Sequence, residues 1–366
     1  MKILIVNTVP TEKNGITNVI FNLLKAMDLN GLEVGYVSIS NPEDFYVNQL
    51  KDLGIRLHVI SRSIKNPFGY IKKLSKVAKG YDVIHVHGNS ATMVLEMIAA
   101  KLAGVKFRIA HSHNTSCSMR TIDKLARPLF YALCNERLAC GDEAGKWLFK
   151  NRDFHIVNNG VDTSKFRFDA GKRSSIRKEL GWENNPIIGH VGNFLPAKNH
   201  EFLITLFAKY TASHPEARLL LLGNGYLKDK AIDQAAQLGV LDKIKFAGSV
   251  ENPQDYLSAM DIIVMPSTFE GLPLTLVEEQ ANGLDCICST NITPEADMTK
   301  RLHFLNLDEN LQTWTSKIDD ALDNSDSRDK KSENAIVMIK KNGYDIWEIS
   351  KWLKSFYLEE FKSHSN

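Results

Sequence analysis

Two glutamates separated by seven residues stand out in MPSTFEGLPLTLVEEQANG, residues 265–283. Glu270 follows the apolar run DIIVM, which is typical of a buried parallel strand, and Glu278 falls in the second or third turn of the helix expected next. The free backbone N–H groups of Leu274 and Thr275 mark the start of that helix and could hold a phosphate. Two carboxylates beside an anion site indicate a phosphorylated, hydroxyl-rich ligand. A turn glutamate and a solvated helix glutamate would give the same pattern.

Glycines follow three successive strand-like runs upstream of these glutamates. VGNFLPAKNH places Gly192 and Lys198 between a strand and a helix, LLLLGNGYLKDK repeats the plan, and KIKFAGSVENP puts Val250 at a strand end. Glycine lets the backbone approach a ligand closely, and a lysine at this position can neutralise a diphosphate. In this order the three loops predict one continuous crevice wall. Gly15, in TEKNGITNVI, has a similar place, but the GxGxxG spacing of a dinucleotide site is lacking, which disfavours an oxidoreductase.

Two H-x-H pairs, His85 with His87 and His111 with His113, lie at the ends of predicted strands. Residues i and i+2 of a strand face the same way, so four imidazoles could meet around a metal. Because the strands stop there, we expect the members of each pair to divide between the core and a ligand cleft, and we predict no metal site. His113 at the lip of the cleft is the candidate functional histidine, since an imidazole can hydrogen-bond a sugar or polarise a reacting hydroxyl. A hydrogen-bonded structural histidine is the alternative.

A basic segment at residues 62–79 has no acid and interleaves lysines with apolar residues. A basic helix with an apolar edge is typical of an element that lies on an anionic membrane surface, although a solvated helix has the same composition. Nucleic-acid binding is not expected, because the aromatic residues form no stacking series. The candidates for membrane or acceptor contact, two of them further along the chain, are Lys72, Lys73, Lys76, Arg120 and Arg127.

The composition of the chain is that of an ordinary globular protein. It has 366 residues, 43% hydrophobic and 24% charged, enough for two domains. No run of about 18 apolar residues appears, and the apolar N-terminal run is too short for a signal peptide, so we expect a cytoplasmic protein. Five cysteines without CxxC pairs indicate free thiols. Residues 1–160 have 21 Lys and Arg against 13 Asp and Glu, which suggests that this half meets something anionic.

The residues named above must be positioned by strands and helices that alternate throughout the chain. This alternation predicts parallel, doubly wound sheets with ligands at the carboxyl ends of the strands. A stretch rich in Gly, Asn and Ser, at about 158–183, is interpreted as an interdomain linker. The predicted domains are 1–165 and 166–343, with an amphipathic helix at about 344–366 that packs across onto the first domain. The predicted strands are 2–7, 34–39, 55–60, 83–86, 107–111, 137–139, 187–191, 218–222, 244–246, 261–265, 284–289 and 302–305.

Several phrases of the chain resemble a known enzyme family. VGNFLPAKNH, GNGYLKDK, FAGSV and EGLPLTLVEEQANG, in this order, resemble the C-terminal half of family 4 retaining glycosyltransferases with the GT-B fold, and EGLPLTLVE matches their E-x7-E motif. RIAHSHNTS, ACGDEAGKWLF and VNNGVDTSKF resemble the exopolysaccharide and capsular-polysaccharide branch, the EpsF-like enzymes. The resemblance extends from residue 2 to about residue 307. It implies an α/β GT-B architecture of two Rossmann-like doubly wound domains facing a central cleft, the first binding the acceptor and the second the nucleotide sugar.

The resemblance also implies a role for each candidate residue. Glu278 would hydrogen-bond the ribose of a nucleoside-diphosphate sugar, Glu270 would contact the donor sugar, and His113 matches the family's cleft histidine. Val250 would lie against the base, for which we expect uracil. The groups implied to hold the diphosphate, whose departure is the main electrostatic demand of the reaction, are Lys198, Gly15 and the amides of Leu274 and Thr275.

The chain departs from the family pattern at two places. Asn193 stands in the donor site where the family usually has Arg in a VGR phrase, and Asn14-Gly15 replaces a Gly-Gly pair. One positive charge expected on the diphosphate is therefore missing. These departures bear on donor affinity and donor choice, and they leave the predicted fold unchanged.

The sequence thus predicts a retaining glycosyltransferase that moves a sugar from a UDP-sugar to a lipid-linked glycan in bacterial exopolysaccharide or capsule synthesis. The acceptor would be a glycan or a polyprenyl-linked saccharide. Family members of this fold need no metal, so we expect no metal and no other cofactor. The enzyme would work in the cytoplasm or as a peripheral protein on the inner face of the cell membrane. Two alternatives stay open: a UDP-sugar 2-epimerase of similar fold, and a non-catalytic glycan-binding or regulatory protein.

Overall fold

The apolar runs predicted as strands form two parallel β-sheets in the computed structural model, which describes residues 1–63, 66–323 and 326–365. Contacts divide the chain into a first unit, Met1–Gly160 with Ile346–Asn366, and a second unit, Val161–Asp345. Lys65, part of the basic segment, lies outside the described residues. Each unit is a Rossmann-like α/β domain, which confirms the predicted fold class.

The first unit is built on a seven-stranded sheet. Its strands are β1 (Lys2–Asn7), β2 (Glu33–Ser38), β3 (Arg56–Val59), β4 (Val83–Gly88), β5 (Phe107–Ser112), β6 (Glu136–Ala139) and β7 (His155–Ile156), in the parallel order β3-β2-β1-β4-β5-β6-β7. Alternate residues of β1 face opposite ways, so Leu4 and Val6 belong to one core cluster and Ile3 and Ile5 to another. Both faces of the sheet are therefore covered, as parallel sheets require.

Helices return the chain between these strands. They are α1 (Gly15–Ala26), α2 (Asp44–Asp52), α3 (Pro67–Ala78), α4 (Val94–Leu102), α5 (Arg120–Leu133) and α6 (Asp142–Phe149). The start of α3 shows why local sequence fixes these ends: Pro67 occupies the first turn, and the Asn66 side chain accepts a hydrogen bond from the Gly69 amide at 2.9 Å.

The second unit repeats the plan with six strands. They are β8 (Ile187–Val191), β9 (Arg218–Leu222), β10 (Ile244–Gly248), β11 (Ile262–Met265), β12 (Asp285–Ser289) and β13 (Leu302–Leu305), in the order β10-β9-β8-β11-β12-β13. The helices are α7 (Ala170–Leu180), α8 (His200–Thr211), α9 (Lys228–Gln237), α10 (Pro253–Ala259), α11 (Leu274–Ala281), α12 (Leu311–Leu322) and α13 (Arg328–Lys341). Cys286 and Cys288 lie on β12, and all five cysteines are free thiols, as predicted.

The interpretation of residues 158–183 as a linker is wrong, because α7 forms there. Asp169 caps the helix by accepting from the Lys172 amide at 2.9 Å, and Gly181 ends it with a φ of 67°. The face of α7 that meets the domain is polar: Arg173 and Arg177 both bind the Asp261 carboxylate at 2.5 Å. Two arginines replace the apolar stripe that would have revealed this helix in the sequence.

The last helix, α14 (Ile346–Ser365), packs on the first unit. The Ser350 hydroxyl donates to the Leu23 carbonyl at 3.2 Å, and the Lys354 ammonium binds the Asp28 carboxylate at 2.7 Å. Residues 161–165, predicted as part of the first domain, belong to the second unit. Tyr344 and Asp345, predicted as the start of the last helix, also belong to the second unit. The reason is a short backbone pairing in which the Val161 amide donates to the Tyr344 carbonyl at 2.8 Å.

Backbone hydrogen bonds join the loops that follow β8, β9 and β10. The Gly192 amide donates to the Leu222 carbonyl at 2.9 Å, and the Gly223 amide donates to the Gly248 carbonyl at 2.8 Å. Gly223 has a φ of +135°, and a Cβ there would lie 2.1 Å from the Gly192 carbonyl oxygen. These loops therefore cross so closely that one glycine is required for the contact.

Replacing Gly223 by alanine is expected to destabilise the second unit. The strained φ and the clash with backbone together predict a loss of about 1–3 kcal/mol, seen as a lower thermal midpoint. Gly271→Ala in the same unit is the matched control, because a Cβ at Gly271 meets no atom within 4 Å. Equal midpoints for Gly223→Ala and Gly271→Ala would show that the loops are free to separate.

Candidate functional site

The strand order of the second unit creates a crevice between β8 and β11. The chain reverses its direction of winding there, so the loops that follow these two strands lead away from each other. Lys198 lies in the loop after β8 and Glu270 in the loop after β11. The Lys198 Nζ lies 2.7 Å from the Glu270 Oε1, and each side chain is 17% exposed. The structure thus brings together two predicted site residues that are 72 positions apart in the sequence.

The backbone around this ion pair is fixed by contacts between the same two loops. The Thr268 amide donates to the Ala197 carbonyl at 2.8 Å, and the Asn199 side-chain amide donates to the Pro266 carbonyl at 3.1 Å. Gly192 leaves room for the Lys198 stem, since a Cβ there would lie 3.0 Å from its Cδ and Cε. Sequence reasoning missed Asn199, and only its place beside Lys198 could have suggested a role.

Helix α11 begins directly beyond Glu270. No side chain caps its start at Pro273, and the first amides of a helix, here those of Leu274 and Thr275, have no acceptor within the helix. The Thr275 hydroxyl is buried without a hydrogen-bond partner in the described part of the chain. Glu278 is the fifth residue of α11 and is partly exposed. These groups together can receive an anion at the helix start and hydroxyl groups at the carboxylate.

Glu279, the next residue, is an acid that the sequence analysis did not single out. It is fully buried, and neither carboxylate oxygen has a hydrogen-bond partner among the described residues. Burial raises its pKa well above the usual range, with the nearby Glu278 adding to the rise and Lys198 opposing it. Two adjacent acids in a helix point about 100° apart, so one reaches the surface and the other enters the core. The pair EE in the sequence is the signal that could have raised this question.

The Glu278 carboxyl itself is unusually easy to protonate. Burial raises the pKa of Glu278 to about 7, and the charge of Lys165 partly opposes the rise. Near neutral pH the group therefore passes between a hydrogen-bond donor and a charged acceptor. Either form can bind a sugar hydroxyl, and the ionised form binds a ribose diol best because it accepts two hydrogen bonds.

The remaining donor-site candidates lie on the loops after β8 and β10. Val250 is half-buried and packs against the core of the second unit, so its side chain offers a small apolar surface. Asn193 is exposed, and its carbonyl accepts from the Leu195 amide at 2.7 Å. The structure thus keeps both residues on the carboxyl side of their strands, where ligands of this kind of sheet bind.

In the first unit the four predicted histidines form one column of imidazoles. His87 pairs with His111 across β4 and β5, and the rings of His85 and His87 stack with centroids 4.1 Å apart. Three of the rings are buried, and His113 is partly exposed. Our expectation that each pair divides between core and cleft is wrong for His85 and His87, which are both buried because residues i and i+2 of one strand face the same way. In the second pair His111 is buried and His113, just beyond the end of β5, is partly exposed.

Hydrogen bonds link the column in two segments. The His87 Nδ1 lies 2.9 Å from the His113 Nε2, and the His85 Nε2 lies 3.2 Å from the His111 Nδ1. Tyr357 of α14, which the sequence analysis overlooked, places its hydroxyl 2.6 Å from the His85 Nδ1. Burial lowers the pKa of His113 to about 3, so its ring is neutral at pH 7 and can donate or accept a hydrogen bond.

Three of these imidazoles could in principle ligate a metal. The nearest ring nitrogens of His85, His87 and His111 all lie within 4.8 Å of one another. Burial lowers the pKa of each ring, which leaves the nitrogens neutral as metal ligation requires. Each ring already has a hydrogen bond to another side chain, so a metal would have to replace those contacts.

Gly15 begins α1 at an exposed turn after β1. A Cβ at this position would meet no atom within 4 Å, so the space in front of the turn is open. The preceding Asn14 caps the helix: its Oδ1 accepts from the Thr17 amide at 3.0 Å, and its Nδ2 donates to the Pro10 carbonyl at 2.8 Å. Asparagine at position 14 thus makes two side-chain hydrogen bonds that a glycine there could not make.

The basic candidates separate into exposed and structural residues. Lys72, Lys73 and Lys76 are exposed on α3, whose apolar residues Ile71 and Leu74 pack in the core. Arg120 is exposed as well. Within the described residues, no helix combines the length and apolar character needed to cross a bilayer.

Arg127 does not offer a free charge to a partner. Its guanidinium binds Asp123 at 2.8 Å and donates to the Leu148 carbonyl at 2.9 Å, and its side chain is 13% exposed. The prediction that Arg127 contacts a membrane or acceptor is therefore corrected: this arginine joins α5 to α6. Its position three residues after an exposed lysine had concealed its inward orientation.

Comparison with known proteins gives the same picture over most of the chain. The family model Glycosyltransferase Family 4 matches residues 13–165, and the model Glycosyl transferases group 1 matches residues 172–338. The putative glycosyltransferase EpsF of Bacillus subtilis (strain 168) is 32% identical over 324 residues, 84% of each chain. The UDP-Gal:alpha-D-GlcNAc-diphosphoundecaprenol alpha-1,3-galactosyltransferase of Escherichia coli is 28% identical over 309 residues, 78% of this chain and 77% of that one.

A solved structure shows the same fold. Anabaena HepE in complex with UDP has a TM-score of 0.80 at 18% identity, over 98% of this chain and 100% of that chain. Two Rossmann-like units, a basic and acidic crevice at a strand-order reversal, and these relatives define a glycosyltransferase with the GT-B fold. The chain belongs to glycosyltransferase family 4, which confirms the resemblance and the enzyme class predicted from the sequence.

Replacing Glu278 by glutamine should stabilise the protein in a pH-dependent way. A carboxyl whose folded pKa is raised stabilises the fold fully below its unfolded pKa of 4.5, and this contribution is lost as the pH rises through about 7. The thermal midpoint of Glu278→Gln should therefore exceed that of wild type more at pH 8 than at pH 5. Glu251→Gln, at an exposed position, is the control and should show no such difference.

Proposed function

We propose that this glycosyltransferase moves a sugar from a UDP-sugar to a lipid-linked glycan, with retention of anomeric configuration, during bacterial exopolysaccharide or capsule synthesis. The observation that carries the proposal is the Lys198–Glu270 pair beside the uncapped start of α11 and the partly exposed Glu278. The Escherichia coli relative, whose name specifies a UDP-sugar donor and a diphosphoundecaprenol acceptor, and HepE bound to UDP support the donor and acceptor classes.

The donor would bind the second unit through its charged and hydroxyl groups. The amides of Leu274 and Thr275 and the Lys198 ammonium would hold the diphosphate, where positive potential stabilises the departing UDP. Glu278 would bind the ribose hydroxyls and Val250 would contact the uracil. The contribution of Gly15 to the diphosphate, and that of Asn193 to the donor, stay predictions.

The Lys198–Glu270 pair suggests how donor binding prepares the reaction. Lys198 is held by Glu270 at 2.7 Å, so a diphosphate that attracts the ammonium would weaken its hold on the carboxylate. Glu270 would then be available to hydrogen-bond the donor sugar. Because both groups begin partly buried, these exchanges take place where charge interactions are stronger than in water.

We favour a front-face mechanism for the transfer. The bond between the anomeric carbon and the phosphate oxygen breaks, the acceptor oxygen forms its bond on the same face, and the acceptor proton passes to the departing phosphate oxygen. His113, neutral because burial lowers its pKa to about 3, would hydrogen-bond a sugar hydroxyl rather than supply a charge. Lys198 and the start of α11 would neutralise the leaving group, so the proposed reaction needs no metal.

The proposed acceptor also implies where the enzyme works. A polyprenyl-linked glycan remains in the bilayer, so the enzyme must approach the membrane to reach it. We therefore propose a peripheral position on the inner face of the cell membrane, with the exposed lysines at 72, 73 and 76 attracted to anionic headgroups.

Single substitutions at the ion pair and at Glu278 should separate binding from turnover. Lys198→Ala and Glu278→Ala are expected to weaken UDP binding by roughly 10- to 100-fold, because each removes a charge-assisted contact. Glu270→Ala is expected mainly to lower kcat, by roughly 100-fold, because its sugar contact matters most at the transition state. Calorimetry with UDP and initial rates of UDP release measure the two effects.

The exposed pair between Lys230 and Glu201, also 2.7 Å long, provides the matched control for these variants. Lys230→Ala and Glu201→Ala should leave UDP affinity and turnover near wild type, since both side chains are 68% exposed. Unchanged UDP affinity in both Lys198→Ala and Glu278→Ala would refute the donor site.

A product assay tests the proposed reaction itself. A panel of UDP- and GDP-sugars is incubated with the enzyme, with and without a polyprenyl-diphosphate-linked saccharide and with EDTA present. We expect sugar transfer from a UDP-sugar only when acceptor is present, an α-linked product from an α-linked donor, and no effect of EDTA. Conversion of UDP-GlcNAc alone to UDP-ManNAc would instead establish the epimerase alternative.

A further inference from the structure

The outer face of helix α5 carries an apolar stripe that no part of the described chain covers. Ile122, Leu125 and Leu129 are 48%, 77% and 49% exposed. Their spacing of three and four residues places them on one side of the helix. The opposite side is anchored in the first unit by the buried Phe130 and Leu133. Single exposed apolar residues are ordinary, but three on one stripe of one helix make a surface suited to a partner.

The charges on the same face are positive. Arg120 and Lys124 are exposed beside the apolar stripe. The one acid of α5, Asp123, is buried and holds the Ala91 amide at 2.8 Å and Arg127 at 2.8 Å. No acidic side chain therefore lies among the exposed residues of α5. An apolar stripe flanked by cations matches a surface of acyl chains under anionic headgroups.

Helix α5 also starts at the edge of the sheet that carries the acceptor-side candidates. It begins seven residues after His113, which follows β5 directly. The bond from the Ala91 amide to Asp123 ties its first turn to the segment that follows β4. Anything that holds α5 is therefore close to the carboxyl ends of β4 and β5.

We propose that the outer face of α5 is the membrane-docking surface of this enzyme and lies in the headgroup region of an anionic bilayer. The apolar stripe of Ile122, Leu125 and Leu129 inserts between acyl chains, and Arg120 and Lys124 bind headgroup phosphates. This part of the inference rests on the proposed function, in which the acceptor is lipid-linked. Docking through α5 would bring the carboxyl edge of the first sheet to the depth at which a polyprenyl-linked saccharide leaves the bilayer.

The same observations distinguish α5 from α3, the helix whose composition favours it as a membrane-surface element. The apolar residues of α3 that gave it an amphipathic pattern, Ile71 and Leu74, are buried in the core, and Phe68 at its start is the exposed large one. Exposed lysines on α3 can add long-range attraction, but insertion requires exposed apolar side chains. Helix α3 offers one such side chain, Phe68, whereas α5 offers a stripe of three.

A bilayer fits the surface better than a second copy of the chain. Pairing two α5 faces would bring the cations of both copies together around a narrow apolar stripe, and like charges in contact oppose association. An anionic surface neutralises the same charges. Charge complementarity therefore favours lipid as the occupant.

Sedimentation of the full-length protein with vesicles tests this surface. Wild type should bind phosphatidylglycerol-containing vesicles, more weakly at high salt, and bind pure phosphatidylcholine vesicles at least about tenfold more weakly. Leu125→Glu should lower binding to the anionic vesicles by about tenfold or more. Arg120→Ala combined with Lys124→Ala should lower binding and reduce its salt dependence.

Leu238→Glu is the matched control, because Leu238 is a 43% exposed leucine at the C-terminal end of α9 in the second unit. It should bind vesicles like wild type, and thermal melts should show that all variants are folded. Vesicle binding by Leu125→Glu equal to wild type would overturn the proposal. A dimer of wild type that Leu125→Glu dissociates, in sedimentation velocity without lipid, would show that the face binds a second copy instead.

Two further measurements separate failure of this surface from failure of the proposed function. UDP affinity of Leu125→Glu should equal that of wild type, and transfer to a water-soluble acceptor should be retained while transfer to acceptor in vesicles falls by about tenfold or more. Vesicle binding through α5 without any sugar transfer would refute the proposed function and leave the docking surface standing. Equal transfer to vesicle acceptor by Leu125→Glu and wild type would refute the role of the surface in acceptor access.

Discussion

The ion pair between Lys198 and Glu270 is the interaction on which the donor-side arrangement depends. It joins the loops on either side of the strand-order reversal, beside the backbone hydrogen bond from the Thr268 amide to the Ala197 carbonyl. Breaking a buried pair by removing one partner commonly costs about 3–5 kcal/mol, and a partly exposed pair costs less. Lys198 also lowers the cost of burying Glu279, since its charge opposes the rise in the pKa of that carboxyl. One cation therefore holds the position of one acid and limits the rise in the pKa of another.

The two units differ in electrostatic character where their candidate site residues lie. The second unit uses full charges, which suit the anionic diphosphate of a nucleotide sugar. The first unit presents a column of neutral imidazoles, kept uncharged by burial even though four titratable groups are in contact. Neutral rings that donate and accept hydrogen bonds suit the hydroxyl groups of a sugar acceptor.

Regular features of the fold were predictable from the sequence because their residues are apolar and periodic. Strands β1 and β11, which are central in their sheets, contain the continuous apolar runs ILIV and IIVM, and glycine follows each of them, at the start of α1 and in the loop before α11. Helix α7 escaped prediction because arginines, and not apolar residues, face its domain. A sequence pattern records burial through hydrophobicity, so a buried face built from ion pairs leaves no trace in it.

The candidate site was predictable in its membership but not in its contacts. The spacing of Glu270 and Glu278 and the loop position of Lys198 identified the residues, whereas the pairing of Lys198 with Glu270 depends on strand order. Sequence also could not assign Glu279 to the core or Arg127 to a structural contact. Successive side chains on a helix point about 100° apart, and the sequence does not say which direction faces the core. Such orientations follow from packing, which a single sequence does not display.

The position of α14 has a consequence for the order in which the protein can assemble during synthesis. Ile349, Leu353 and Phe356 complete one of the two core clusters of the first unit, although the whole second unit precedes them in the sequence and is translated before them. This core cluster therefore cannot be completed until the second unit has been translated. Apolar residues of the first unit stay uncovered by α14 during that interval, and uncovered apolar surface favours aggregation of a nascent chain.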